Sequence, residues 1–250
     1  MNLEAAGIRF SYNGQPVLSD VTFSIEPGQV VCILGVNGAG KSTLLKCLNR
    51  ILKPQTGSVL ADGEDLLHFS RNRIARLLGY VPQRHPETQL TVFEAVLMGR
   101  KPHIQWTLGP EDYALVEETI EQIGLAHLAM RRVCDLSGGE IQKVIIARAL
   151  AQSAEILLLD EPTSNLDLKN QLEVMRLVRN IVKTKGLSSV IAIHDLNIAL
   201  RFADSFIFLK NGQVHGICGR KELCSEIIQQ VYGVDVALSE VNGHTLVVPL

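Results

Sequence analysis

One stretch of the sequence decides the fold: Val30-Val31-Cys32-Ile33-Leu34-Gly35-Val36-Asn37-Gly38-Ala39-Gly40-Lys41-Ser42. Its first five residues predict a buried strand, and the remainder fits the pattern G-x-x-x-x-G-K-[ST]. A helix is expected to begin near Lys41. In such a setting, glycines let backbone N–H groups turn toward phosphate oxygens, and the helix N-terminus adds partial positive charge. The stretch therefore predicts a phosphate-binding loop.

The residue types in this loop also predict individual roles. Lys41 is expected to reach the β- and γ-phosphates of a nucleotide, Ser42 to ligate Mg²⁺, and Thr43 to contact an α-phosphate oxygen. The predicted nucleotide-binding residues of the loop are Gly35, Asn37, Gly38, Ala39, Gly40, Lys41, Ser42 and Thr43. The alternative is a glycine-rich turn that happens to precede a helix, and the strand, Lys and Ser in register argue against it.

A second run, Ile156-Leu157-Leu158-Leu159-Asp160-Glu161, places two carboxylates at the end of a buried strand. Parallel sheets bind ligands at that edge. Asp160 is expected to hold Mg²⁺, and Glu161 is expected to act as the general base for an attacking water. The alternative is a strand that simply ends in a charged turn.

The composition limits the classes of protein to which the chain can belong. Lys and Arg total 24 against 26 Asp and Glu, so no global basic field favours nucleic acid as a partner. The five cysteines lack metal-ligand spacing and the first residues lack a signal-peptide pattern, which predicts a reduced, cytosolic protein. The longest apolar runs fall short of the roughly 20 residues that cross a bilayer, so any membrane connection is expected to pass through a partner.

Apolar, β-branched runs bounded by turn residues predict the strands of one α/β domain. They are Val17–Ile25, Val30–Leu34, Leu78–Val81, Ile156–Leu159, Val190–Ile193 and Phe206–Leu209, and Asn211-Gly212 predicts a hairpin to Gln213–Ile217. Continuous apolar runs suit a sheet covered on both faces. Helical spacing dominates from about Gln83 to Gln152, with helices predicted at Thr91–Met98 and from Pro110 onward. A long helix with Leu172, Met175, Val178 and Val182 on its inner face is expected after the acidic strand.

Another glycine-rich run, Leu136-Ser137-Gly138-Gly139-Glu140, matches a motif that most phosphate-loop ATPases lack. With this motif, the phosphate loop and the acidic strand, the chain resembles ATP-binding-cassette (ABC) ATPases from about Leu3 to about Gly219. The resemblance implies a homodimer in which Ser137 and the N–H groups of Gly138 and Gly139 meet the γ-phosphate bound to the opposite subunit. From the residues alone, a Ser-capped helix with closely packed glycines is the alternative.

The resemblance also implies the architecture. It predicts an α/β fold, the ABC ATPase cassette, with a phosphate-loop (RecA-like) core, an N-terminal antiparallel β subdomain and an inserted α-helical subdomain. We expect a single domain over residues 1–250, the helical subdomain at about residues 84–152 and a short C-terminal extension at about residues 220–250. The implied activity is ATP hydrolysis, with ATP and Mg²⁺ bound.

Further positions fall where the ABC family places functional residues. Tyr12 is implied to stack on adenine beside an apolar Val17, Gln83 to contact Mg²⁺ and the attacking water, Asp167 to communicate across the dimer, and His194 to bind the γ-phosphate and orient the base. Singly, each has an ordinary alternative, since aromatics are usually in cores and glutamines on surfaces. Their joint order and spacing favour the functional interpretation.

Two shorter segments refine the resemblance. Leu97-Met98-Gly99-Arg100-Lys101-Pro102-His103 and Val231-Tyr232-Gly233-Val234-Asp235 are similar to the ATPases of iron-siderophore, haem and cobalamin importers, a type that molybdate importers share. This similarity implies separate membrane permease subunits, whose coupling helix binds the surface from Arg84 to Gln105, and an extracytoplasmic substrate-binding protein. It places the chain at the cytoplasmic face of the cell membrane.

Two alternatives remain open from the sequence. A soluble ABC ATPase of iron–sulfur cluster assembly is also a single cassette of similar length, and an exporter would use the same ATP chemistry. DNA-repair relatives carry long coiled coils between their ATP motifs, whereas no heptad run lies between Ser42 and Ile156. Co-purification with a polytopic membrane protein would favour transport, and co-purification with a soluble scaffold would not.

Overall fold

The computed structural model describes residues 1–84, 88–104 and 106–250. Its strands are β1 (Leu3–Tyr12), β2 (Gln15–Ile25), β3 (Val30–Leu34), β4 (Thr56–Ala61), β5 (Glu64–Asp65), β6 (Leu78–Val81), β7 (Ile156–Asp160), β8 (Ser188–Ala192), β9 (Ser205–Lys210), β10 (Gln213–Gly219), β11 (Val236–Val241) and β12 (His244–Pro249). Its α-helices are α1 (Lys41–Leu48), α2 (Arg71–Leu77), α3 (Val92–Leu97), α4 (Pro110–Gln122), α5 (Gly138–Ala151), α6 (Leu168–Lys185), α7 (Leu196–Phe202) and α8 (Ser225–Tyr232). Short 3₁₀ segments lie at Leu66–His68, Met98–His103, Ala126–Leu128 and Val133–Asp135. Across these described ranges, no helix has the length and apolar character needed to span a membrane.

A six-stranded sheet forms the centre of the protein, in the order β10-β9-β3-β8-β7-β6. The strands from β9 to β6 are parallel, and β10 runs antiparallel to β9 through the predicted Asn211-Gly212 turn. Because parallel strands present their carboxyl ends at one edge, the loop after β3 and the acidic end of β7 lie at the same edge. The sheet therefore positions the two predicted phosphate-facing segments.

Side chains of β3 alternate between two apolar cores, one on each face of the sheet. Cys32 and Leu34 pack into the core that includes α5 and α6, whereas Val31 and Ile33 pack into the core that includes α1. Every residue of β3, β7 and β8 is buried, which explains why their sequences are continuously apolar rather than alternating. The predicted doubly covered sheet is confirmed.

An antiparallel sheet in the order β2-β1-β4-β5 covers α1. Its inner side chains, including Ile8 and Phe23, share one core with Leu44 and Leu48 of α1. The other side of α1 packs against β7 and β8 of the central sheet. This sheet agrees with the antiparallel subdomain implied by the family resemblance, although the residues alone predicted only β2.

Helices α3, α4 and α5 pack against one another. Thr91 caps α3, because its hydroxyl accepts a hydrogen bond from Glu94 N and the Glu94 carboxylate accepts one from Thr91 N at 2.8 Å. The predicted helix over Thr91–Met98 thus starts at Val92 and ends at Leu97, where the chain tightens into the 3₁₀ segment. The predicted helix start at Pro110 is confirmed.

A buried ion pair fixes the 3₁₀ segment Met98–His103 against these helices. Arg100 Nε donates to Asp112 Oδ1 at 2.7 Å, and Arg100 Nη1 donates to the carbonyl oxygen of Ala151 at 2.8 Å. Asp112 Oδ2 accepts a further bond from Gly109 N at 3.0 Å. The bonds from Arg100 and Gly109 hold the pKa of Asp112 below its usual range. Arg100 therefore joins the segment to the start of α4 and to the end of α5.

Arg100→Ala is expected to lower the free energy of unfolding by about 3–5 kcal/mol, because it leaves a buried carboxylate without its partner. Urea unfolding at pH 7 measures the loss, with Arg9→Ala as control, since Arg9 and Asp20 form an exposed pair at 3.8 Å whose loss costs under about 1 kcal/mol. Since the native pKa of Asp112 is lowered, the contribution is complete above the unfolded pKa of about 3.9 and is lost as the pH falls toward the native pKa. Equal losses in the two variants would contradict the structural role of Arg100.

Helix α8 and the hairpin β11–β12 follow β10 and were not predicted as elements from the residues. The hairpin packs against α7, where the Asn197 side chain accepts a hydrogen bond from Val247 N at 2.8 Å. Helix α7 begins two residues after His194, a predicted catalytic residue. The C-terminal elements therefore contact the helix that extends from the carboxyl edge of β8.

Candidate nucleotide-binding site

At Gly35 and Gly40, the loop between β3 and α1 combines a positive φ with too little space for a Cβ. Gly35 has a φ of +154° and Gly40, the residue before α1, has a φ of +103°. A Cβ on Gly35 would lie 2.2 Å from the carbonyl oxygen of Leu209, and a Cβ on Gly40 would lie 2.9 Å from Leu18 Cδ2. The predicted loop glycines therefore allow the loop to pass close to β9 and β2 before it enters α1.

The Lys41 ammonium group is held across the loop. Its Nζ donates to the carbonyl oxygens of Gly35 at 2.8 Å and Val36 at 3.2 Å. Burial lowers the pKa of Lys41, and the nearby Glu161 and Asp160 carboxylates oppose that effect. A buried ammonium at the start of a helix, bonded to two backbone carbonyl oxygens, is suited to bind phosphate oxygens in their place.

The side-chain oxygens of Ser42 and Asp160 lie together beside the loop. Ser42 Oγ donates to Asp160 Oδ1 at 2.7 Å, and the Tyr80 hydroxyl donates to Asp160 Oδ2 at 3.1 Å. Burial and the adjacent Asp160 raise the pKa of Tyr80 above its usual range, so the hydroxyl remains a donor. Hydroxyl and carboxylate oxygens are the ligands that Mg²⁺ prefers, so this donor set fits a magnesium ion.

Gln83 and His194, two of the predicted catalytic residues, lie beside the third, Glu161. Gln83 Nε2 donates to Glu161 Oε2 at 2.9 Å, and His194 Nδ1 lies 3.6 Å from the same oxygen. The Glu161 side chain is 15% exposed, whereas that of His194 is 53% exposed. Glu161 has a φ of +45°, which is uncommon for a residue with a side chain, and its N–H donates to the carbonyl oxygen of Ala192 at 2.9 Å. The strand end thus turns sharply to present this carboxylate.

A cavity of about 270 Å³ joins the phosphate loop to this carboxylate. It is lined by Val17, Asn37, Gly38, Gly40, Lys41, Ser42, Thr43 and Glu161. Three predicted nucleotide-binding residues, Tyr12, Gly35 and Ala39, lie outside this lining. Gly35 directly follows β3, at the first position of the loop. Ala39 is buried in the core, and Tyr12 lies at the exposed end of β1, where its ring packs edge to face on Phe10 with centroids 4.8 Å apart.

Ser137 lies on the surface at the start of α5. Its hydroxyl donates to Glu140 Oε2 at 2.7 Å, and the same carboxylate oxygen accepts from Ser137 N at 2.8 Å. These two bonds hold the pKa of Glu140 below its usual range. A Cβ on Gly139 would lie 2.5 Å from Asn170 Oδ1, and Asp167 caps α6 by accepting from Asn170 N at 2.8 Å. The structure therefore brings the Ser137 and Asp167 segments side by side.

Two tyrosines beside the site were not predicted from the sequence. Tyr80 donates to Asp160, and the Tyr232 hydroxyl accepts a hydrogen bond from Gly35 N at 3.0 Å. Tyr80 lies in a correctly predicted strand, and its pairing opposite Leu158 of the acidic strand would have been the signal. Tyr232 lies 197 positions from Gly35, and no local pattern connects them.

Comparisons with known proteins identify the family of the chain. A family model described as ABC transporter matches residues 18–164. An uncharacterized ABC transporter ATP-binding protein of Methanocaldococcus jannaschii is 49% identical over all of this chain and 98% of its own length. The ferric enterobactin transport ATP-binding protein FepC of Escherichia coli is 36% identical over 99% of this chain and 94% of its own length. The cobalamin import ATP-binding protein BtuD of Halobacterium salinarum is 38% identical over all of this chain, which spans 64% of that relative.

Solved structures are similar over nearly the same extent. An inward-facing metal-chelate type ABC transporter covers 99% of this chain and 96% of its own, with a TM-score of 0.86 and 29% identity. The dimeric structure of a bacterial ABC transporter cassette covers 88% of this chain and 100% of its own, with a TM-score of 0.77 and 28% identity. The family model, the sequence relatives and the cassette architecture agree. The chain therefore belongs to the ABC transporter family and is one of its ATPases.

Proposed function

We propose that this ATPase is the nucleotide-binding subunit of a metal-chelate importer and acts as a homodimer on a separate membrane permease at the cytoplasmic face of the membrane. One observation supports the ATPase activity in this proposal. Gln83 and His194 lie beside Glu161, at a cavity lined by the phosphate loop. The transport part is supported by the relatives, whose names include ferric enterobactin transport and cobalamin import. An extracytoplasmic substrate-binding protein completes the proposed importer.

The proposed roles follow from the contacts at the site. Lys41 and the N-terminus of α1 bind the β- and γ-phosphates, and Val17 with Tyr12 provides the apolar surface for adenine. Glu161 accepts the proton of the attacking water, and Gln83 and His194 orient that carboxylate. The Ser42 and Asp160 oxygens would hold Mg²⁺, which would neutralise phosphate charge. Partial burial of Glu161 strengthens its interactions with the water.

A second copy of the chain completes the proposed site. Ser137 and Gly138 are exposed at the start of α5, where the helix N-terminus favours an anion. Asp167 lies close to them on the same surface, because Gly139 packs against Asn170, whose N–H donates to the Asp167 carboxylate. In the proposed dimer, Ser137 and the N–H groups of Gly138 and Gly139 meet the γ-phosphate held by the phosphate loop of the other copy, and Asp167 communicates across the dimer. The dimeric cassette structure that aligns with this chain supports this arrangement.

A groove of about 790 Å³ between the end of α1, helix α2 and β6 is the proposed permease-binding surface. It exposes the apolar side chains of Ile51 (53%) and Leu67 (50%) beside the basic Lys53 and Arg71. Apolar side chains within a basic rim fit a short amphipathic helix with acidic residues. We therefore propose that the cytoplasmic coupling helix of the permease, with such a sequence, occupies the groove.

The groove adjoins the surface that the sequence predicted for the permease. Gln152 lines the groove, and its carbonyl oxygen lies 2.8 Å from Nε2 of His103 in the predicted segment Arg84–Gln105. Residues 85–87 and 105 of that segment lie outside the described residues. Tyr80 also lines the groove and lies three residues before Gln83, which donates to the Glu161 carboxylate, so this short segment connects the proposed permease surface to the catalytic site.

Co-purification from detergent extracts tests this function. The wild-type chain is expected to retain a polytopic membrane protein, and Ile51→Asp is expected to weaken that retention at least tenfold, since it places a carboxylate against an acidic partner and costs about 1.4 kcal/mol or more. Val248→Asp is the matched control, because Val248 is 44% exposed on the C-terminal hairpin, outside the groove. Both variants are expected to bind ATP normally.

Two outcomes would reject the transport assignment or the docking surface. Recovery of a soluble scaffold in place of a membrane protein would favour the iron–sulfur assembly alternative. Equal retention of the permease by both variants would place the docking surface elsewhere. Uptake of a radiolabelled metal chelate by vesicles containing the complex separates import from export.

A further inference from the structure

Helix α8 is fixed to the central sheet beside the phosphate loop. Its side chains Ile228 and Val231 are buried, and α8 packs against β9. Gln230 binds the sheet at two points, because the Lys210 ammonium donates to its carbonyl oxygen and His215 Nε2 lies 2.8 Å from its Oε1. The last residue of the helix, Tyr232, is therefore held in a defined position relative to β9 and the adjacent β3.

The Tyr232 hydroxyl contacts the first residue of the phosphate loop. It accepts a hydrogen bond from Gly35 N at 3.0 Å, and the ring is partly buried against the apolar core. Burial raises the pKa of Tyr232 to about 12, so the hydroxyl keeps its proton at neutral pH. The contact joins the C-terminal elements directly to the predicted nucleotide site.

Gly35 is the point at which this contact can influence nucleotide binding. The N–H group of Gly35 binds Tyr232 and its carbonyl oxygen accepts from the Lys41 ammonium at 2.8 Å. The space around Gly35 is too small for a Cβ, since the Leu209 carbonyl oxygen would lie 2.2 Å away. Gly35 therefore links the tyrosine hydroxyl to the phosphate-binding lysine through its own N–H and carbonyl groups.

We infer that Tyr232 is a positioning residue of the ATPase, whose hydroxyl holds the Gly35 end of the phosphate loop in the conformation that binds the nucleotide. Without that hydroxyl, the Gly35 N–H loses its partner, and the loop samples conformations that do not bind phosphate. Bound phosphates then have to order the loop themselves. The inference rests on the proposed role of the loop in nucleotide binding. It adds Tyr232, which lies outside the loop, to the residues on which nucleotide binding depends.

Tyr232→Phe tests this inference, because it removes the hydroxyl and leaves the ring. We expect affinity for a fluorescent ADP analogue to fall about three- to tenfold, in line with one lost hydrogen bond. The KM for ATP should rise by a similar factor while kcat stays within about twofold, because bound phosphates order the loop once ATP is present. Tyr113→Phe is the control, since Tyr113 lies on α4 with its ring stacked on Phe93.

The remaining outcomes separate this inference from the proposed site. Wild-type affinity in Tyr232→Phe, together with lost affinity in Lys41→Ala, would overturn the positioning role and leave the site intact. Wild-type affinity in Lys41→Ala would reject the site itself. A lower melting temperature for Tyr232→Phe with unchanged KM and kcat would show a structural role only and would also overturn the inference.

Discussion

Glu161→Gln is expected to lower ATP turnover by about 10²- to 10⁴-fold, the usual contribution of a general base. The amide has the size of the carboxylate but cannot accept the proton of the attacking water. Its oxygen can still accept the hydrogen bond from Gln83, which in the structure is 2.9 Å from Glu161 Oε2. The geometry of the site should therefore persist, and ATP should remain bound.

The retained ATP makes the expected result visible in two measurements. Steady-state phosphate release reports the loss of turnover, and size exclusion in the presence of Mg-ATP should show a stable dimer, because the bound triphosphate is not cleaved. Glu117→Gln, an exposed position on α4, is the matched control and should behave as wild type. If Glu161→Gln hydrolyses ATP at nearly the wild-type rate, the base is another group, and His194 is the next to test.

Lys41→Ala is expected to weaken ATP binding roughly 30- to 150-fold, which corresponds to about 2–3 kcal/mol for charge-assisted bonds to phosphate. The change removes the ammonium from a buried position and also leaves the Gly35 and Val36 carbonyl oxygens without their donor. Both effects act on the loop that cradles the phosphates. Isothermal titration with a non-hydrolysable ATP analogue measures the affinity, and an unchanged value would contradict the assignment of the loop.

Ser137→Arg is the contrasting variant for the lysine experiment. Ser137 is exposed at the start of α5, so the substitution should leave ATP binding to a single subunit unchanged while it blocks hydrolysis in the dimer. Mixing Ser137→Arg with Lys41→Ala should restore one working site per mixed dimer, since each variant keeps the half that the other has lost. No recovery on mixing would argue against a site shared between two copies.

Local patterns predicted most of the central sheet and the phosphate loop, because burial and crowding leave their mark there as continuous apolar runs and closely spaced glycines. The glycine positions at Gly35 and Gly40 follow from backbone crowding, and the strand before them is apolar because it is covered on both faces. Strand β8 shows the limit of this reasoning. It starts at Ser188 rather than the predicted Val190, because the Ser188 hydroxyl is buried and accepts a hydrogen bond from Gly28 N at 2.9 Å.

Residues that act through distant partners could not be predicted from local patterns. Tyr80 and Tyr232 both look like ordinary core aromatics in sequence, and only the sheet order and the path of α8 bring their hydroxyls to Asp160 and Gly35. The β11–β12 hairpin was missed for a similar reason, since its strands are half exposed and are stabilised by α7.

The similarity of Leu97–His103 to importer ATPases has a partly structural cause. Arg100 forms the buried ion pair with Asp112, and a Cβ on Gly99 would lie 2.2 Å from the carbonyl oxygen of Arg148 in α5. These two residues are therefore fixed by packing between helices, not by contact with cargo. The proposed cargo class depends on the relatives and on the permease experiment.

The order of strands in the central sheet has a consequence for synthesis of the protein. Strand β3 pairs with β8 and β9, and Val30 N donates to Asp204, 174 positions further along the chain. At about 5–20 residues per second, a ribosome needs roughly 9–35 s to produce the partners of this strand. During that interval β3 lacks both of its neighbouring strands in the central sheet. The apolar Val30–Leu34 segment is therefore exposed to aggregation until β8 and β9 have been made.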